Sequence, residues 1–555
     1  MLSRTTLLLC LIFAGCGLKE NADLLLINGR IITVDDQNPA AEAVAIRDGR
    51  IIEIGKNETI RSKYVASRQE DLQGASVFPG FIDAHLHMNS LGRLLLELDL
   101  TGTASFEAIL KLVETKVKSS PKSEWIFGRG WDQNDWAVKE FPTAEKLNAC
   151  SGNYYVMLKR VDGHAILVNQ RVMDAAGITR NTPDPAGGFI IRDTRGNPTG
   201  VLVDNAASLV RKVMPISTRE DDSLALELAM KSCLEYGLTS VHDAGVDPQK
   251  IDLYKNMSKR GKLTARIYAM LDGSNQALID EYFQKKRDTT LVDNFLKIAS
   301  VKLYADGALG SRGAALLEPY SDDAQNRGLA VTDQDRIQEI TERALENGYQ
   351  VCTHAIGDRG NRMTLDAYEK ALLRTNMYGL NKRLRIEHAQ VVNEFDIPRF
   401  AKLGVIASVQ PTHCTSDMYW AEARVGPKRI LGAYAWQRFI KSGAILCNGS
   451  DAPVESNNPL WGFYAAITRQ DQQGYPEGGW YPDQKMNVME ALKGFTINAA
   501  YASFDEELKG SIEKGKLADL VVLDKDITSI EPKEILKTSV ILTIVGGKIL
   551  YRKTP

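Results

Sequence analysis

The chain has 555 residues, 44% hydrophobic and 25% charged, which is ample for a large buried core. A formal net charge of −2 and the lack of any basic stripe argue against a nucleic-acid partner. No internal repeat or low-complexity tract stands out, so solenoids and disordered linkers are set aside as well.

At the N-terminus, Arg4 precedes the apolar run LLLCLIFAG (7–15). That run is far too short to span a bilayer, which takes about 20 residues; it reads as the apolar part of a secretory signal. Ala14-Gly15-Cys16 resembles a bacterial lipoprotein box, although Phe13 departs from its usual leucine. The expectation is a signal peptide over 1–16, lipid on the Cys16 thiol, and membrane contact through that lipid alone. Gly17 after the cysteine points to the periplasmic face of an outer membrane.

Next, ADLLLINGRIITVD (23–36) and AVAIRDGRIIEIG (43–55) alternate around turns and read as two hairpins. ADLVVLDKD (518–526) and ILTIVGGKILYRK (541–553) read the same way at the other end. Together, 20–77 and 508–555 predict one small β-sandwich assembled from both termini.

The segment FPGFIDAHLH (78–87) reads as a buried strand entered by a Pro-Gly turn. Alternation puts Asp83, His85 and His87 on one face, and two imidazoles at a strand end can hold a divalent metal such as zinc. Further strand-like runs follow at 239–245, 265–271, 300–306, 349–355, 383–389, 404–410 and 444–450, separated by helical patterns such as DDSLALELAMKSCLEYG (221–237). Eight strands alternating with helices predict a (β/α)8 barrel of the TIM type, over 78–95 and 217–507. Lys302, His354, His388 and Asp451 sit at or near the C-terminal ends of strands four, five, six and eight, the end at which barrel enzymes gather their chemistry. The candidate metal ligands are therefore His85, His87, Lys302, His354, His388 and Asp451.

Residues 96–216 are too many for a strand-to-helix connection and predict an inserted α/β subdomain capping the substrate. Within it, Trp131, Asp132, Asp135 and Trp136 either cap the pocket or fill the insertion's own core. His164 is either a pocket residue or a loop histidine satisfied by Asp162.

Several stretches make the chain recognisable: PGFIDAHLH (79–87), GRGWDQNDW (128–136), RVDGHA (160–165), VKLYADGALGSRGAALLEPY (301–320), THAIGDRG (353–360), IEHAQ (386–390), NGSDAPVE (448–455) and GSIEKGKLADLVVLD (510–524). They span nearly the whole chain after the signal. The sequence resembles the amidohydrolase superfamily, and within it the YtcJ-like branch that includes N-substituted formamide deformylases. The resemblance implies that the same six residues hold one or two metal ions. It also implies that Lys302 is carboxylated by carbon dioxide, the carbamate bridging two metals. Burial favours the neutral amine needed for that step; the alternative is a Lys302 ammonium paired with Asp306 or another carboxylate.

The implied reaction is metal-assisted hydrolysis of a non-peptide, amide-like C–N bond, with Asp451 as general base and His388 binding metal or steadying the oxyanion. His413 after strand seven and Arg312 after strand four are candidate substrate contacts, with Trp131 and His164. Arg312 is equally readable as a surface ion pair, and His242 as a satisfied core histidine. QDQQGYPEGGWYPDQ (470–484) reads as an active-site loop. Five cysteines follow Cys16 with no disulfide spacing, and Cys352 and Cys447 read as small fillers of the barrel interior. The expected partner is a small-molecule substrate, with a homodimer left open. The same metal chemistry would serve a lactonase, an esterase or a phosphotriesterase. A non-catalytic periplasmic binding lipoprotein is the remaining alternative, which the filled ligand positions argue against.

Overall fold

The computed structural model describes residues 19–119, 124–161, 164–215, 218–285 and 294–554. The expected signal peptide, Cys16 and Asp162 lie outside the described residues. The chain divides into two units: one combines the described residues up to His87 with those from Met230 onward, and the other is Met88–Ala229.

In the first unit both termini build two facing sheets. A four-stranded sheet has the order Arg50–Gly55, Ala43–Arg47, Glu20–Ile27, Tyr64–Asp71. A six-stranded sheet has the order Lys548–Arg552, Val540–Val545, Leu520–Leu523, Ser76–Pro79, Arg30–Ile32, Ala40–Ala41. Leu24, Leu26, Val44 and Ile46 from the first meet Ile31, Val77, Leu520, Val522 and Ile544 from the second in one core. Leu25, Ile27, Ala43 and Ala45 face the other way, into a cluster with Ile60 of the helix Asn57–Lys63. Burial on both faces explains why LLLI runs apolar without alternation.

The run 23–36 is not a hairpin. Asn28 (φ 54°) and Gly29 carry the chain from one sheet to the other, and a Cβ on Gly29 would lie 2.6 Å from Leu72 Cδ1. True hairpins form where two consecutive residues take positive φ: Asp48-Gly49 (52° and 74°) and Gly546-Gly547 (55° and 74°).

The same unit contains the barrel. Its strands, in chain order, are β1 (Phe81–Leu86), β2 (Leu238–Val246), β3 (Arg266–Asp272), β4 (Leu296–Tyr304), β5 (Gln350–Ala355), β6 (Arg385–His388), β7 (Ile406–Val409) and β8 (Leu446–Asn448). Each pairs in parallel with the next. Just beyond β8 the ring is drawn together by Asp451 N donating to His85 O (2.7 Å) and His87 N donating to Ala452 O (2.8 Å). The fold is thus a (β/α)8 barrel carrying a two-sheet sandwich. Connecting helices are amphipathic: Gln334–Glu346 buries Ile337, Ile340, Ala344 and Leu345 and stops at Asn347-Gly348, where Gly348 has φ 77°.

The second unit is a six-stranded mixed sheet in the order Gly188–Arg192, Pro198–Asp204, Ala165–Val168, Tyr155–Arg160, Trp125–Trp131, Leu98–Asp99. Its limits lie at 88 and 229, outside the expected 96 and 216, because the helix Met88–Leu96 packs on the first turns of Arg219–Glu235. Asn89 Nδ2 and Arg93 Nη2 both donate to Asp222 Oδ1 (2.9 and 2.6 Å). A Cβ on Gly92 would sit 1.8 Å from the Ala225 carbonyl oxygen, so only glycine permits this approach.

Candidate metal centre

Alternation along the barrel strands turns residues two apart inward, and the C-terminal ends supply the polar ones. β1 brings Asp83 and His85, with His87 just beyond it. Asp83 is buried and its Oδ1 accepts from the backbone N of His85 and of Ser450 (both 3.0 Å), while Oδ2 accepts the Ser450 hydroxyl at 2.5 Å. Burial, more than these bonds can offset, raises Asp83 to about 7. It thereby ties the end of β1 to the turn after β8 that presents Asp451.

Two inward groups owe their orientation to strained backbone. On β6, Glu387 points inward, so plain alternation would turn His388 away. His388 instead takes φ 73° and Ala389 φ 42°, which brings the imidazole in. Its ring centroid lies 5.0 Å from that of His85 and 4.5 Å from that of His354. Asp451 takes φ 59°. Left-handed non-glycine residues at strand ends mark positions where surrounding structure sustains strain.

The result is a cluster in which His85, His388 and Asp451 each offer one ligand atom, all within 4.8 Å of one another. Asp451 Oδ1 is 3.2 Å from His87 Nε2 and 3.5 Å from His85 Nε2. The free ring nitrogens are anchored: His85 Nδ1 donates to Glu387 Oε2 (2.5 Å), His87 Nδ1 to the Ala244 carbonyl (2.9 Å) and His388 Nδ1 to Gln410 Oε1 (2.8 Å). Such bonds fix the tautomer and leave Nε2 as the available donor to a cation. Two or three imidazole nitrogens with one carboxylate is a donor set suited to zinc and similar divalent ions, so the residues fit such an ion.

Electrostatics agree. Burial, in the direction that a protonated Lys302 would also act, pushes His85 down to about 4 and His354 to about 3. His388 is driven well below its ordinary value by burial and then by His354. These rings are neutral, as ligands must be. Burial opposes charge on Asp451, but the His87 hydrogen bond and the neighbouring rings hold it well below the usual carboxylate range. For His87, burial acts downward and the Asp451 bond and charge outweigh it, so its value rises.

Lys302, on β4, is buried, with Nζ 3.4 Å from His85 Nε2 and 5.1 Å from the Tyr304 ring centroid. Burial lowers its pKa. Asp306 does not pair with it: its oxygens accept from Ile356 N (2.9 Å), Gly357 N (2.7 Å) and Ala315 N (2.8 Å), holding the loops after β4 and β5 together. His354 Nε2 lies 3.5 Å from both Asp306 Oδ1 and the Gly307 carbonyl.

Of the four candidate substrate contacts, His413 reaches this cluster. Its ring stacks on His388 (6.0 Å, 8°) and its Nε2 is 3.8 Å from Asp451 Oδ2. Arg312 forms a forked pair with Asp322 (3.1 and 3.0 Å), the ion-pair reading of that residue. Trp131 corrects the expectation: it is fully buried in the second unit's core with Trp136, Leu158 and Phe106, its indole N–H committed to the Leu158 carbonyl (2.9 Å). His164, in that same unit, is exposed and bonds Asp204 Oδ1 at 2.8 Å. His242 is a core residue whose Nδ1 accepts from Arg385 Nη1 at 2.9 Å. Cys352 and Cys447 are buried, and burial pushes their thiols up to about 12 and about 11, which makes them unreactive fillers.

Below the imidazoles lies a polar layer that the sequence reading passed over: Arg385, Glu387, Gln410 and Ser408. The signal was present in RLRIEHA, where two opposite charges stand two apart inside an apolar strand.

Beside His413, Asp417 accepts the Tyr434 hydroxyl (2.6 Å) and Gln390 Nε2 (3.1 Å), and burial raises it to about 6 despite the pull of His413. Between about pH 4 and 6 the folded group keeps a proton that the unfolded chain has lost, so its contribution to stability falls as pH rises through that window. Asp417→Asn is expected to remove a loss of about 1–3 kcal/mol over this range. Denaturant unfolding of both proteins at about pH 4, 5 and 6 measures it; parallel pH profiles would show that the carboxylate is not shifted.

The chain is similar to known proteins over most of its length. Residues 68–551 match the amidohydrolase family (Amidohydro_3). YtcJ of Bacillus subtilis is 33% identical over 535 residues, covering 95% of this chain and 99% of its own. The N-substituted formamide deformylase of Arthrobacter pascens is 28% identical over 551 residues, covering 97% and 100%. Among solved structures, a metal-dependent hydrolase of Pyrococcus horikoshii superposes with a TM-score of 0.74 at 29% identity, covering 92% of this chain and 99% of its own. With a barrel whose strand ends gather histidines and an aspartate, and a match over most of its length, this chain belongs to the amidohydrolase family.

Proposed function

We propose that the protein is a metal-dependent hydrolase that cleaves a non-peptide, amide-like C–N bond with water. The observation that carries this is the convergence of His85, His388 and Asp451 within 4.8 Å in a buried barrel mouth. His85, His87, His388 and Asp451 would hold one divalent ion, zinc by donor type, and Lys302 as a carbamate with His354 would complete a second position. Support for the carbamate comes from a buried amine that, among the described residues, has no carboxylate hydrogen-bond partner, and from its pKa being lowered by burial. When bound, a divalent ion supplies Lewis acidity, lowering the pKa of water and polarising a carbonyl.

The chain's own residues do the rest. Asp451 is ionised and buried among imidazoles, so it can take a proton from attacking water and pass it to the leaving nitrogen. His388, fixed by the Nδ1 bond to Gln410, presents the lone pair of Nε2 to the centre, where it would serve as a ligand. His413, stacked on His388 with Nε2 toward Asp451, would contact the substrate. The amide preference is supported by full-length similarity to the Arthrobacter deformylase. The motif at Cys16 supports a lipid-anchored place in the cell envelope, and the substrate is a small molecule.

Elemental analysis of protein purified without chelator is expected to give about two metal equivalents per chain, falling when Lys302 is replaced by alanine. Turnover is expected on N-substituted formamides and related amides. Absence of metal after zinc or manganese loading would end the hydrolase reading, and turnover confined to lactones or phosphotriesters would reassign the bond.

A further inference from the structure

We propose that Glu387, held by Arg385, is a positioning residue that fixes the His85 ring so that Nε2 alone faces the metal centre. The inference rests on the metal-dependent reading above and adds to it a buried charged support beneath one ligand.

Glu387 and Arg385 are two apart on β6 and both point into the barrel, below the ring of histidines; neither has any exposed surface. The guanidinium holds the carboxylate through one hydrogen bond, Nη2 donating to Oε2 at 3.0 Å, and through a close charge contact, Nε lying 2.8 Å from Oε1. Arg385 is itself tethered around the barrel, donating to the Ala84 carbonyl (2.7 Å), Ser408 Oγ (3.0 Å) and His242 Nδ1 (2.9 Å). A carboxylate so gripped is an acceptor only, so the 2.5 Å contact with His85 Nδ1 requires the proton on that nitrogen. The remaining nitrogen, Nε2, carries its lone pair toward Lys302 (3.4 Å) and Asp451 (3.5 Å).

Other histidines of the cluster have neutral supports, a backbone carbonyl for His87 and an amide oxygen for His388. His85 alone among these three rests on a charge. An ionised partner makes a shorter and stronger bond than a neutral one and increases the ring's basicity toward a cation. The left-handed turn at His388 allows this arrangement: β6 sends Glu387 beneath His85 and His388 beside it from consecutive positions.

The test is zinc affinity, measured by chelator competition on the full-length protein. Glu387→Gln keeps the side chain's size but loses its charge, and is expected to weaken zinc binding by about 10–100-fold. Glu387→Asp is expected to restore part of it. Because Glu387→Gln leaves Arg385 buried without its partner, the double variant Arg385→Met with Glu387→Gln removes both charges and should show the same loss of affinity with the fold kept. Unchanged affinity in a folded variant would overturn the proposal and leave the pair a structural role only. Nitrogen-15 histidine spectra of the unsubstituted, metal-free protein decide independently of any variant. His85 is expected as the tautomer protonated at Nδ1, and the opposite tautomer would equally overturn the assignment. If the unsubstituted protein binds no zinc, it is the metal reading itself that fails.

Discussion

Asp451→Asn is expected to retain its metal and its fold while losing turnover by about 10²–10⁴-fold, the range for removing a general acid–base group. The substitution is close to isosteric, and asparagine is among the few residues that tolerate the left-handed conformation that Asp451 adopts at φ 59°. The backbone bond from residue 451 to the His85 carbonyl, which helps close the barrel, is untouched. One side-chain oxygen remains to face His85 and His87. What disappears is the ionised second oxygen, which lies 3.8 Å from His413 Nε2 and is the atom proposed to receive the proton. Measuring kcat and metal content on the same preparation separates the two roles. A normal kcat would remove Asp451 as the base, and a metal-free variant would show that its role is mainly as a ligand.

Much of this site was legible because barrel chemistry gathers at strand ends and the strands announce themselves by apolar runs. His85, His354, His388, Lys302 and Asp451 each end or interrupt such a run, and the structure brings them together. What stayed hidden depended on tertiary context. No local pattern tells that His388 abandons strand geometry, and without that turn Glu387 and His388 would face opposite ways. Asn28-Gly29 has the residues of a hairpin turn, yet the chain crosses between sheets there, because Ile31 finds its partner at Ala41 while Leu24 to Leu26 pair with 44–46. Trp131 shows the same limit: an aromatic next to acidic residues reads as pocket or core with equal ease, and burial decided for core. The long apolar segments carried the fold; the polar contacts that orient a ring did not show in spacing.

Arg266→Leu is expected to destabilise the protein by about 3–5 kcal/mol, the cost of leaving a buried partner unpaired. Arg266 opens β3, and its guanidinium forks onto Asp519 at 2.6 and 2.8 Å, with side chains 4% and 3% exposed. Asp519 immediately precedes the sandwich strand Leu520–Leu523, and its Oδ1 also accepts from Gly546 N at 2.8 Å. One ion pair therefore joins barrel to sandwich at the end of the barrel remote from the histidines. Burial alone would raise Asp519, yet Arg266 holds it below its ordinary value, with a smaller pull from Lys509. Lys509 cannot replace Arg266, because its Nζ is already committed to Ser240 Oγ (2.6 Å) and lies 3.4 Å from Asp505. Denaturant unfolding should show the loss, while kcat of the folded fraction stays unchanged. Replacing Asp519 by leucine in the same chain should recover part of the loss, since an apolar pair leaves no stranded charge. A cost near zero for the single substitution would mean that water reaches the pair, and that other contacts, such as Thr543 Oγ1 donating to the Leu234 carbonyl (2.6 Å), fasten the sandwich to the barrel.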